Sequence, residues 1–114
     1  MSDVLRNEVS IELAGETRTM RASFAAIRAI EAALGKSMMA VINQVADSDL
    51  SVTAATTIIY HGLLGFDDKR LSMDQVGEAV LAAGLTNVSL PIVNFVSRSL
   101  SGVEVGKPEG QTPQ

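Results

Sequence analysis

His61 is the only imidazole in the chain, and no cysteine accompanies it as a metal ligand or nucleophile. Its helical neighbours three and four residues away are Thr57, Ile58, Leu64 and Gly65. None is a carboxylate that would orient the ring or complete an acid–base pair. Asp67 and Asp68, followed by Lys69 and Arg70, have the oxygen chemistry of a hard-cation site. One adjacent pair falls short of the oxygen cage that such a cation needs, so a solvated charged connection is expected. Glu31 is expected to pair with Arg28 one turn earlier, an interaction worth a few tenths of a kcal/mol. The glycines do not reproduce a phosphate-binding loop, and the serines lack a matching base. These residues point to no catalytic, cofactor or metal site; a non-enzymatic binding module is expected.

The elements around these residues form an α+β pattern. Glu8 to Leu13 alternates Val9, Ile11 and Leu13 against Glu8, Ser10 and Glu12, the period of a half-buried strand. Ala14-Gly15-Glu16 reads as a turn. Thr17 to Ala22 is a second strand, with Met20 and Ala22 inward and Thr19 and Arg21 outward. Ser23 then caps a helix ending at Gly35, with Phe24, Ile27, Ile30 and Leu34 as its core stripe. Ser37 caps a helix over Met38 to Ala46, and Ser51 a third from Val52 to about Leu64. On that third helix Val52, Ala55, Ile59, Gly62 and Leu63 share a stripe, and Ile58 and Leu64 lie off it. A helix apolar over so much of its circumference is central or part of an interface. Ser72 and Gln75 have capping-box spacing for a fourth helix, with Val76, Val80 and Ala83 inward, that Gly84 stops. A fifth begins at Asn87 or Ser89, with Pro91 in its first turn and Val93, Val96 and Leu100 as its stripe.

Some apolar residues have no evident place in a core. Met38 and Met39 cannot both face the same side, and methionine suits adaptable binding surfaces. Phe95 lies off its helix's stripe. Met38, Met39, Ile58, Leu64 and Phe95 are therefore the candidate protein-binding residues, lining one groove.

Hydrophobic residues make up 46 % of the 114 residues and aromatic ones 4 %, so an aliphatic core is expected. A formal charge of −4 argues against general nucleic-acid binding, although Arg18, Arg21 and Arg28 are close enough for a local basic patch. Leu50 to Phe66 carries no charged side chain, but its Ser, Thr, His, Tyr and Gly content suits a buried helix better than a membrane span. MSDVLRNEVS has no apolar segment of signal-peptide type, and a cytoplasmic location is expected. Residues 1–101 are expected to form one domain and 102–114, rich in Gly, Pro and polar groups, a disordered tail.

The run EVSIELAGETRTMRASFAAIRAIEAALGKS resembles the opening of the phage and gene transfer agent tail assembly chaperone family, also labelled tail-tube-associated. The resemblance is carried by the hairpin with its central Gly and by Phe24, Ala26, Ile27, Ile30, Glu31, Leu34 and Gly35. IIYHGLLG and VGEAVLAAGL resemble the family's later helices, so the likeness extends over residues 8 to 100. It implies no catalytic motif. It implies a chaperone that binds the hydrophobic tape measure protein and keeps it soluble until tube subunits polymerise. A small acidic domain with surplus apolar surface is suited to this, binding by a helix-in-groove mode. A structural tail subunit that adds its hairpin to a neighbour's sheet is the alternative. Other tail proteins, or a homo-oligomer, are then the partners, with no nucleic acid, membrane or cofactor.

Overall fold

The hairpin is closed by a two-residue turn in which both central residues have positive φ: Ala14 at 53° and Gly15 at 79°. That geometry matches the right-handed twist of the flanking strands. In the computed structural model, which describes residues 7–101, strand β1 (Glu8–Leu13) pairs antiparallel with β2 (Glu16–Arg21), and Val9 lies opposite Met20. Val9, Ile11, Leu13 and Met20 are buried on one face. Five helices follow: α1 (Phe24–Leu34), α2 (Met38–Ala46), α3 (Val52–Gly65), α4 (Met73–Ala83) and α5 (Leu85–Ser101). The architecture is the expected α+β one, a two-stranded sheet and five helices around a single core.

The helix starts follow the cap chemistry. Ser23, Ser37 and Ser51 each accept a hydrogen bond from the amide three residues on, at 2.9–3.1 Å. Ser72 and Gln75 form the reciprocal capping box. Gly35, at φ 69°, ends α1 in the left-handed conformation.

Helix α3 is the element around which the others pack. It is buried from Ala54 to Ile59 and again at Gly62 and Leu63, and it contacts α1, α4, α5 and β2. Two of its glycines permit close approach. A Cβ on Gly62 would come within 3.0–3.1 Å of Met20 and Phe95; one on Gly65 would lie 2.3 Å from the Arg21 carbonyl oxygen. The hairpin therefore sits directly on the C-terminal half of α3. No single helix among the described residues is long and apolar enough to cross a membrane.

Several expectations are corrected. Phe24 is 78 % exposed, because α1 turns Ala26 and Ile30 to the core and leaves Ile27 and Leu34 at the margin. Val52 and Leu100, placed on core stripes, are partly exposed at helix ends. Helix α5 begins at Leu85, not at Asn87 or Ser89, so Pro91 lies inside it. Proline has no N–H to donate to the Asn87 carbonyl one turn back. Glu8, expected on the solvent face, is buried against Arg21, which bonds its carboxylate. The segment 102–114 lies outside the described residues.

Candidate functional site

The expected groove residues do not come together. Met38, Ile58 and Phe95 are 2 %, 0 % and 0 % exposed and belong to the core cluster. Each was assigned outward because it lay off its own helix's main stripe or beside a second methionine. Alpha3 and α5 are each covered on more than one side, so residues off the stripe meet a second neighbour. Met39 is 61 % exposed, and Leu64 is half-buried in a cleft with Ala25, Ala29 and His61. No common groove joins the five.

His61 lies edge-on to Tyr60, with ring centroids 5.1 Å apart. Partial burial pushes its pKa down, which favours the neutral ring. No group of three or more His, Asp or Glu side chains among the described residues is arranged to hold a metal. Glu31 does not pair with Arg28: its carboxylate accepts from the Met38 amide at 2.8 Å and so serves the first turn of α2. Arg28 lies over the Phe24 ring instead, 5.7 Å from its centroid.

Asp68 is not part of a solvated connection. It is 8 % exposed and accepts from Arg18 Nη1 at 2.7 Å and from Arg70 Nε at 3.1 Å. Hydrogen bonding to Arg70 and the proximity of Arg18 hold its carboxyl at about 2, against the opposing effect of burial. Arg18 is equally buried. It also reaches Glu16 at 2.9 Å, while its Nε has no hydrogen-bond partner among the described residues. Thus Arg18 is committed to a structural bridge and Arg21 to Glu8, and the local basic patch does not form. The strand alternation that places Met20 and Ala22 inward puts Arg18 on the same face, a signal for its burial though not for its partner.

The hairpin's outer edges are the conspicuous unfilled feature. The Ala22 amide donates to the Asn7 carbonyl at 2.8 Å, which fixes the parity of the ladder. Alternation makes Glu8–Arg21, Ser10–Thr19 and Glu12–Thr17 the non-hydrogen-bonded pairs. Backbone groups of these six residues point away from the hairpin's own ladder. None of them makes a backbone–backbone hydrogen bond outside the strand pair among the described residues. The β1 edge opens into a cleft of about 420 Å³ lined by Ser10, Glu12, Ala83, Asn87 and Pro91. Thr17 and Thr19 on β2 border another, of about 520 Å³, opposite residues 66–70. Gly65 closes the β2 edge only at Arg21.

Residues 6–102 match the model of a family described as phage tail tube protein, GTA-gp10. No curated protein and no solved structure matches the chain.

Proposed function

The chain belongs to the family described as phage tail tube protein, GTA-gp10, and on that premise we propose that it is a structural tail subunit. It assembles through the outer edges of its N-terminal hairpin with neighbouring tail proteins, its own copies included, in the host cytoplasm. It performs no catalysis. The observation that carries this reading is the two-stranded sheet whose outer backbone groups have no backbone partner among the described residues. Two strands are a marginal sheet, and open edges invite pairing with another chain. Strand addition gives affinity through main-chain hydrogen bonds and needs no preformed side-chain pocket.

The second reading is a chaperone that holds the tape measure protein during tail assembly. It is favoured by the large apolar side chains left in water, notably Met39, Leu81 and Leu90 at 61 %, 63 % and 67 % exposure. The burial of Met38, Ile58 and Phe95 removes the groove first expected to serve it.

Particle composition separates the two. A structural subunit is present in purified tails in many copies; a chaperone is absent from them. Ser10→Pro and Thr19→Pro each remove an outward amide without breaking the hairpin's own ladder. Both variants are expected to fold and to be lost from tails. Normal incorporation of both would refute the edge as the assembly surface.

A further inference from the structure

An open groove of about 540 Å³ runs between the N-terminal half of α3 and α4. Val52, Met73 and Leu81 supply apolar walls that are 37 %, 37 % and 63 % exposed. Thr56 and Gly77 also line it, and they meet across it. The Thr57 hydroxyl donates to the Thr53 carbonyl at 2.9 Å, whereas the Thr56 hydroxyl makes no hydrogen bond within the described residues. Thr56 is 8 % exposed in all, and its Oγ1 keeps its access to water.

Gly77 is a second, independent sign. A glycine inside a helix disfavours that helix relative to alanine. At Gly62 and Gly65 the close neighbours explain the missing side chain. At Gly77 a Cβ would meet Thr56 at 3.6 Å, an ordinary contact, so nothing among the described residues requires its absence. The bare backbone keeps the groove deep for a group from outside. Asp74 and Glu78 stand along it, and no basic residue among the described ones does. The matching occupant is an apolar tip beside a positive charge.

The chain carries such a tip. Phe24, at the first position of α1, is 78 % exposed, and the Arg28 guanidinium lies over its ring. We propose that the α3–α4 groove receives the Phe24–Arg28 pair of a second copy, the ring over Gly77 and the guanidinium toward Asp74 and Glu78. This rests on the structural-subunit reading and deepens it by naming a contact between subunits. The pair cannot serve its own groove. Ser23 and Ala26 lie against Gly65 at the C-terminal end of α3, and the groove is at the N-terminal end. Thr56, at the floor of the groove beside Gly77, precedes Gly65 by nine helical residues, about 13 Å along the axis. The contact joins two different patches, so it closes reciprocally as a dimer or repeats head to tail as a ring or a filament.

Sedimentation velocity of the purified chain across a concentration series tests this. Wild type is expected to associate, and less so at high salt. Phe24→Ala and Gly77→Leu should each weaken association about tenfold or more, the usual effect of losing a central aromatic anchor or its pocket. Gly77→Ala should weaken it too while melting no lower than wild type, which separates a blocked groove from a damaged fold. Arg28→Glu and Glu78→Arg should each weaken association, and the two combined should restore it. A wild-type monomer up to millimolar concentration would overturn the proposal, as would association indifferent to Phe24→Ala and to the charge exchange. Capture of a different tail protein by a monomeric chain, lost in Gly77→Leu, would overturn it as well and assign the groove to that protein. Presence in tails scores the subunit reading separately, so either can fail alone.

Discussion

Replacing Asp68 by Asn removes one negative charge and almost no volume from the point where β2 meets the segment after α3. Arg18 and Asp68 have side chains 7 % and 5 % exposed and are joined at 2.7 Å. Removing one partner of a buried pair costs about 3–5 kcal/mol, because the other charge stays buried. The lower end applies here: Glu16 still reaches Arg18 at 2.9 Å, and exposed Arg70 returns to water. A loss of about 3 kcal/mol lowers the melting temperature of a domain this size by about 12–20 °C. Acid gives an independent check. The Asp68 carboxyl is held at about 2, below its usual 3.8. Its stabilisation is therefore complete above the unfolded value and is lost as pH falls through 3.8 toward 2. Linkage puts that contribution at about 2 kcal/mol. Calorimetry at pH 7 and over the descent from pH 4 to pH 2 on wild type and variant measures both. The double variant Arg18→Met, Asp68→Leu should recover most of the loss, since neither charge is then stranded. Asp68→Asn melting within about 2 °C of wild type would refute the reasoning, because a stranded buried charge cannot be that cheap.

Other expected outcomes concern the scaffold. Ile30→Asp places a carboxylate at a site with 0 % exposure and should cost several kcal/mol, read by chemical denaturation. Glu31→Gln should weaken the start of α2 by about 1 kcal/mol, with the Met38 amide exchanging faster by hydrogen–deuterium exchange. Gly65→Ala sets a Cβ 2.3 Å from the Arg21 carbonyl oxygen; prising the hairpin off α3 should cost about 3 kcal/mol or more in a thermal melt.

The sequence is most legible where an interaction is local. The serine caps, the capping box of Ser72 and Gln75, and Gly35 are decided within a few residues, and each stands as read. Faces were harder to read. On α1 the run of alanines allows the core side to centre on Ala26 and Ile30, which turns Phe24 to water. Ile58 and Phe95 were misplaced because a stripe reports one neighbour, whereas the helices that carry them have several. The Arg18–Asp68 bridge joins residues 50 apart, and no local pattern specifies that distance. Helix α5 defeated the proline rule because Gly84 alone separates it from α4, which fixes its start before Pro91.

The turn of the hairpin has a consequence in time. Ala14 holds φ 53°, a conformation that costs a residue with a Cβ about 1–2 kcal/mol. A strand pair closed by such a turn, with only two strands, does not persist alone. Its shape is imposed by α3, through Met20 at Gly62 and the Arg21 carbonyl at Gly65. During synthesis β1 and β2 emerge before α3, which follows a few seconds later at about 5–20 residues per second. Strand β1, which carries Val9, Ile11 and Leu13, packs on α4 and α5, so those side chains wait longer still for their cover. The segment proposed to offer assembly its edges is thus made before the helices that fix it, and slowing translation between residues 22 and 101 should lower the yield of soluble chain.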